Sequence, residues 1–337
     1  MVAAGREGTP ADAILGVVPR RVAEPATLAE AAEVLAACAR DDLAVAFVGG
    51  GTELELGAPP RRLDVVLRTS RLDRVVEHAP ADQIAVVEAG LPLAALQRRL
   101  RLHGQRLALD PPLPERATVG GIVAANGYGA RRLRFGAGRD LVVGMTFVRA
   151  DGTVAKGGGK VVKNVAGFDV PRLLVGSLGT LALIGTITFR LHPLPEADRT
   201  VLVPRLDAEG LRAVVAGLRQ AQLEPVAAAA LLEGEGESLG LGLRFEGFPP
   251  GVAEQAQRLF ALCERLGREA EPLEDAAAAA FWARHDAART EGALRAKLTF
   301  PPAALPLASA RALRPLLAAL AFAVVYALVA QLAFDAG

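Results

Sequence analysis

The stretch Lys156–Thr180, KGGGKVVKNVAGFDVPRLLVGSLGT, most constrains this chain. Only four of the 38 basic residues are lysines, and three of those four, Lys156, Lys160 and Lys163, fall within it. Asn164 follows Lys163 directly, and the other asparagine, Asn126, sits in a second glycine-rich run, TVGGIVAANGYG, over residues 118–129. Ammonium and amide groups crowded beside bare backbone suit a large polar ligand. The same residues would also suit a flexible loop with solvated lysines. The remaining glycine runs bear on that choice.

Ala44–Val48 reads as a short buried strand running into Gly49-Gly50-Gly51-Thr52. Glycines leave main-chain N–H groups uncovered and permit positive φ, so such a loop can wrap a phosphate; a tight turn between strands is the alternative. It is not a GxGxxG dinucleotide fingerprint, because TELELG and Gly-Ala-Pro-Pro follow where an amphipathic helix should begin. A nucleotide P-loop at Gly158-Gly159-Lys160 is also excluded, since Val161 stands where a magnesium-binding Ser or Thr belongs. Asp110-Pro111-Pro112 predicts a rigid extended segment, and the small residues from Thr118 to Gly127 would let a flat ligand approach the main chain.

At 337 residues, with 52% hydrophobic and 22% charged side chains, the chain has material for two domains with real cores. A net charge of +1 with one Trp and two Tyr argues against nucleic-acid binding. Two distant cysteines, Cys38 and Cys263, cannot hold an iron–sulfur cluster or a four-thiolate zinc. His78, His103, His192 and His285 show no metal-type spacing, so no metal site is expected. The N-terminus has no basic segment followed by an apolar core, so a cytoplasmic setting is the expectation.

Thr27-Leu28-Ala29-Glu30 reads as a capping box opening a helix to about Arg40, and Pro92 opens another to about Leu102. Strands are expected at Leu63–Arg68, Ile84–Glu88 and Leu141–Val148, with Asp151-Gly152 as a hairpin signal and a last strand pair ending near Leu191. Beyond Pro195 strands and helices alternate, which predicts an antiparallel sheet with helices on one face. The uncharged run Leu316–Phe334 is long enough to span a membrane, but its alanines and Gln331 favour a helix to about Leu320 and then a strand, Phe322–Phe334, completing the second sheet.

Taken in order, VGGGT (48–52), VEAG (87–90), DPP (110–112), TVGG (118–121), RDLVVG (139–144), KNVAGFD (163–169) and GSLGTL (176–181) resemble the vanillyl-alcohol oxidase, or PCMH-type, FAD-binding family. Within it the chain is most similar to the smaller flavin subunits of bacterial glycolate oxidases. The resemblance implies an α+β fold: an extension over 1–19, a two-subdomain FAD-binding domain over 20–195 and a smaller cap domain over 196–337. It implies non-covalent FAD. Gly49, Gly50, Gly51 and Thr52 would cradle the pyrophosphate. Pro111, Thr118, Gly120, Gly121, Asn126 and Gly127 would line the ribityl chain and ring. Gly179 and the main chain of Ile184 would meet the adenine end, with Lys163 and Asn164 near the ring. Ala182 and Gly185 depart from the family's glycine and hydroxyl residue around Ile184.

The larger catalytic relatives carry a histidine-rich metal site in their C-terminal half, whereas residues 196–337 here hold only His285. The resemblance therefore implies a subunit oxidising glycolate, a 2-hydroxy acid, to glyoxylate only together with a larger flavin subunit and an iron–sulfur subunit. Membrane association would come through those partners, at the inner face of the cell membrane. Two alternatives stand: a self-sufficient FAD-dependent 2-hydroxy-acid dehydrogenase, and a non-catalytic assembly subunit with a vestigial flavin site.

Overall fold

The computed structural model describes residues 5–159, 168–233, 238–291, 294–297 and 323–326. Contacts divide the chain into two compact units, Met1–Tyr128 with Gly136–Leu194, and Gly129–Phe135 with Pro195–Gly337.

The first unit holds two sheets. The smaller comprises β1 (Arg6–Glu7), β2 (Arg21–Ala23), β3 (Val45–Val48) and β4 (Val65–Arg68) in the order β1-β2-β4-β3. β2, β3 and β4 run parallel, which requires crossover connections, and helix α1 (Leu28–Arg40) supplies the first. The Thr27 hydroxyl accepts from Glu30 N at 3.1 Å and starts α1; the Glu30 carboxylate reaches back to Ala26 N rather than to Thr27 N. The larger sheet contains β5 (Val75–Ala79), β6 (Ile84–Glu88), β8 (Val142–Val148), β9 (Val154–Gly158) and β10 (Leu183–Arg190), antiparallel throughout in the order β5-β6-β10-β8-β9. A small pair, β7 (Gln105–Arg106) with β11 (His192–Pro193), lies apart from it. The expected final strand pair is thus one long strand, β10, because it alone separates β6 from β8.

Helix α1 ties the two sheets together. Its Ala31 and Leu35 pack with Leu67 of one sheet and with Val148 and Leu183 of the other. Apolar residues at i and i+4 put both contacts on one helical face. Helix α2 (Leu93–Arg101) buries Leu93, Leu96 and Leu100 and turns Arg98, Arg99 and Arg101 outward in its last turn, where cations suit the helix dipole.

The second unit begins with the seven-residue segment that contains α4 (Arg132–Phe135); α3 (Val119–Ala125) and α5 (Gly138–Leu141) flank it in sequence and belong, with α6 (Val170–Leu174), to the first unit. Its sheet is β12 (Ala197–Leu206), β13 (Ala227–Glu233), β14 (Ser238–Gly247) and β15 (Glu271–Leu273), in the order β13-β14-β12-β15 and wholly antiparallel. With α7 (Ala208–Gln220) and α8 (Pro249–Arg265) this is the β-α-β-β-α-β arrangement of split βαβ folds. Val201, Val203, Leu241, Leu243 and Phe245 pack with Leu211, Val214, Leu218, Leu259 and Leu262 of the two helices. The expectation of helices on one face holds for α7 and α8 only. α9 (Asp275–Ala287) takes the other face, where Gly242 leaves space that Phe281 fills and Trp282 Nε1 donates to Thr200 Oγ1 at 3.0 Å.

The strand expected over Phe322–Phe334 to complete this sheet is corrected in its described part. Ala323–Tyr326 (β17) pairs in parallel with Leu294–Lys297 (β16) as a separate two-stranded sheet. The rest of Leu316–Phe334 lies outside the described residues, among which no helix is long and apolar enough to cross a membrane.

Asp12 shows how the N-terminal arm is held. Its buried carboxylate accepts from Arg6 at 2.6 and 2.7 Å, from Thr9 N and Oγ1, and from Arg68 on β4 at 2.9 Å. The Arg6 guanidinium, ahead of Thr9 and Arg68, holds this carboxyl far below the usual carboxylate range, and burial opposes that only in part. A depressed pKa stabilises the fold above the unfolded value of about 3.9, and that stabilisation is lost as pH falls through it toward the folded value. Asp12→Asn should therefore lower stability by about 1–3 kcal/mol at pH 7, with the gap to wild type closing below about pH 4. Thermal unfolding of both proteins from pH 7 to 3 checks this, and a gap independent of pH contradicts it.

Candidate cofactor site

The first unit gathers three glycine segments. β3 delivers the chain into Gly49–Thr52. A side chain on Gly49 would overlap the Thr118 hydroxyl, and one on Gly50 would overlap the carbonyl oxygen of Arg116. Both glycines are thus demanded by contact with the segment leading into α3. Gly51 differs: its φ is +68°, and a Cβ there would meet only Leu54 Cδ1 at 3.5 Å. Among the described residues the amides of Gly49, Gly50, Gly51 and Thr52 donate to no acceptor.

Thr118 performs two tasks. It abuts Gly49, and its hydroxyl accepts from Gly121 N at 3.3 Å as the N-cap of α3. The helix closes at Asn126, whose φ is +50°, and Gly127 N donates to Ile122 O at 2.7 Å. The third segment then lies along the end of the helix. Gly176 N donates to Val123 O and Leu178 N to Ala124 O, at 3.0 and 2.8 Å. Gly179, at φ +73°, turns against the Phe47 ring, which a Cβ would approach to 3.3 Å.

Between them these segments line an open cleft. Of the residues singled out by sequence, Gly49, Gly120, Gly121, Gly179 and Ile184 line it. Gly50, Gly51 and Thr52 continue the same loop, and Asn126 and Gly127 cap the helix that forms one side. Pro111 is buried in the segment before Thr118 and is not among the lining residues. Lys163 and Asn164 lie outside the described residues. The cleft also takes in Phe47, Thr69, Ala89, Ala124, Leu178, Ala182 and Leu183, which sequence reasoning did not select. Phe47 immediately precedes one quoted motif and Ala89 lies inside another, VEAG; Thr69, one residue past β4, carried no signal.

The glycines of KGGGK have another explanation. Gly157 and Gly158 end β9, where a Cβ on Gly157 would lie 2.8 Å from Pro171 Cδ and one on Gly158 would overlap the Val143 carbonyl. They permit α6 and β8 to pack closely, and they do not line the cleft. The departure at Gly185 is likewise a packing matter, because a side chain there would overlap Leu28 of α1.

Residues and cofactor fit. The unengaged amides of Gly49–Thr52 suit a diphosphate. Asn126 Oδ1 and Ser177 Oγ, on adjoining segments, are buried polar atoms without a hydrogen-bond partner. Such atoms cost stability unless a ligand or water satisfies them. Apart from Thr69 the lining is glycine, alanine and larger apolar side chains, which suits a flat ring system.

Residues 19–158 match the FAD binding domain family. Glycolate oxidase subunit GlcE of Escherichia coli is 34% identical over 159 residues, 47% of this chain and 45% of that protein. Glycolate oxidase subunit GlcD of Bacillus subtilis is 30% identical over 61% of this chain and 44% of its own length. D-lactate dehydrogenase of Archaeoglobus fulgidus is 38% identical over 54% and 40% respectively. The chain thus spans less than half the length of these curated relatives. Among solved structures, p-cresol methylhydroxylase superposes with a TM-score of 0.66 at 15% identity, covering 77% of this chain and 59% of that one. Alkyldihydroxyacetonephosphate synthase gives a TM-score of 0.65 at 18% identity, covering 76% and 52%. These likenesses establish a PCMH-type fold.

Two neighbouring glycines separate packing from binding. Gly120→Ala would drive a methyl to 2.8 Å from the Ala89 carbonyl oxygen, so it should cost about 1–3 kcal/mol in stability. At Gly121 a Cβ meets only Thr118 Oγ1, at 3.2 Å, and otherwise faces the cleft. Gly121→Leu should keep stability within about 1 kcal/mol of wild type while weakening flavin binding at least about tenfold, as read by flavin fluorescence titration and thermal unfolding. Residues 19–158 match the FAD binding domain family, and FAD is the cofactor of this chain.

Proposed function

We propose that this chain is the FAD-binding subunit of a complex that oxidises glycolate, or a closely related 2-hydroxy acid, to the 2-oxo acid, and that it passes electrons to an iron–sulfur partner. The observation that carries the reading is the meeting of Gly49, Gly120–Gly121 and Gly179 in one cleft. Its weight comes from the names of the relatives, two of which are glycolate oxidase subunits. Bound FAD would supply a hydride acceptor. The chain's own residues would place it: loop amides on the diphosphate, Asn126 and Gly127 along the ribityl chain, and Ile184 main chain at the adenine end. Lys163 and Asn164 are proposed to stabilise the reduced, anionic ring.

Dependence on a partner is favoured by the state of the described histidines. His78 Nε2 meets Gln105 Oε1 at 2.9 Å, and its ring stacks edge-on with His103. His285 is buried, with Nδ1 3.0 Å from Asp286 Oδ1. Burial, then Arg190 and Arg106, push the His192 imidazole down to about 4, which keeps it neutral at physiological pH. Among the described residues no group of three or more His, Cys, Asp or Glu could hold a metal ion. The group that takes the hydroxyl proton would then lie on a larger flavin subunit. The proposed setting is the cytoplasm, at the inner membrane face only through partners.

Purified alone, the chain should carry about one non-covalent FAD, yet glycolate should not bleach it. Co-purified with its partners, it should bleach on glycolate addition. Steady turnover by the isolated chain would replace this reading with a self-sufficient dehydrogenase, and a colourless chain unable to take up FAD would replace it with an assembly role. Lys163→Met should shift the flavin midpoint potential in a redox titration, and an unchanged potential removes Lys163 from the ring.

A further inference from the structure

The turn that closes one side of the cleft is built on positive φ. Gly176 stands at +81°, Leu178 at +52° and Gly179 at +73°. Glycine adopts this conformation freely, and the chain uses it at two of the three positions. At the third it uses leucine, whose Cβ crowds the following carbonyl oxygen in the left-handed region. Of the described residues lining the cleft, Leu178 alone combines a side chain with positive φ. Hydrogen bonds leave the backbone no alternative. Gly176 N donates to Val123 O and Leu178 N to Ala124 O, at 3.0 and 2.8 Å, while Thr180 N and Oγ1 donate to Ser177 O at 3.0 and 2.7 Å. Strain of this kind persists only where the surroundings over-determine it.

The leucine side chain gives the fold little in return. Leu178 is 49% exposed, whereas Leu183, the other leucine lining the cleft, is 2% exposed and belongs to the core. Leu15 shares the strained conformation, at φ +48° in the turn between the paired Ile14 and Val17, but it does not line the cleft. What distinguishes Leu178 is therefore its place. It adjoins Gly179, and Phe47, Ala182 and Leu183 line the same cleft. An apolar side chain left half in water stabilises most when a flat apolar ligand covers it.

We propose that Leu178 is a specificity-determining residue for the adenine half of FAD: the strained turn presents its side chain to the adenine ring, and binding buries apolar surface that is otherwise half exposed. Stability given up in the backbone at this position is returned as cofactor affinity. A glycine at 178 would satisfy the turn better and the ligand worse. The inference rests on the reading that Gly179 and the Ile184 main chain meet the adenine end.

Leu178→Gly in the full chain tests this, titrated with FAD, ADP and FMN and unfolded thermally after flavin removal. ADP carries the adenine and diphosphate without the flavin ring, and FMN carries the ring without the adenine. The expected result is a Kd raised about fivefold for FAD and for ADP, with that for FMN unchanged. The flavin-free variant should unfold at or above the wild-type temperature, because the strain is relieved. Leu15→Gly relieves the same strain away from the cleft and should leave all three Kd values at wild type. If Leu178→Gly binds FAD as wild type does, or unfolds at a lower temperature without flavin, the side chain serves the fold and the proposal is overturned. Equal weakening of FMN and FAD places Leu178 at the flavin ring and overturns the adenine assignment. Failure of the underlying reading shows in the unaltered chain instead: it would take up FAD that ADP does not displace.

Discussion

The structure of the first unit depends on one close approach. The Gly49–Gly50 backbone lies so near the Arg116–Thr118 segment that a methyl on either glycine would overlap it. That contact brings the end of a parallel strand against the start of α3, and the Thr118 hydroxyl then caps the helix. With helix and loop fixed, the Gly176–Gly179 turn has carbonyls to dock on, and the cleft follows. Glycine therefore serves two physical ends within one run: at Gly50 it removes bulk, and at Gly51 it permits the turn.

Helix α1 gives that arrangement its rigidity. Its face packs against both sheets at once, so the parallel and antiparallel layers share one apolar cluster. Interiors are close-packed, and displacement of either layer would open a void. Gly185 belongs to the same constraint, since it admits Leu28 against β10 two residues after Leu183 lines the cleft. A feature that looks like a weakened cofactor motif in sequence is a packing adjustment in the fold.

Much of this was legible in the residues. The Thr27 side chain caps α1 as its sequence context requires, and Ile184 is among the residues lining the cleft. Local pattern did not reveal α3, because Val119–Ala125 carries two glycines and two valines, poor helix formers whose conformation is set by the Thr118 cap and by burial. Nor did it reveal that Gly157–Gly158 serve the packing of α6, since a glycine needed for a neighbour's approach looks the same in sequence as one needed for a ligand. The excursion of Gly129–Phe135 leaves no local trace at all: its partners are Val226, Ala227 and Glu246, about a hundred residues away. Long-range pairing of this kind is invisible to periodicity.

The central claim is that loop amides around Gly49–Thr52 hold a diphosphate, so the cleft should distinguish FAD from flavins that lack one. Titrating the purified, flavin-stripped chain with FAD, FMN and riboflavin tests this most directly. The account predicts about one FAD per chain, with FMN and riboflavin bound at least about tenfold more weakly, because charge-assisted bonds to the diphosphate contribute above 1.4 kcal/mol in total. Equal affinity for FMN and FAD, or no uptake of either, would contradict it.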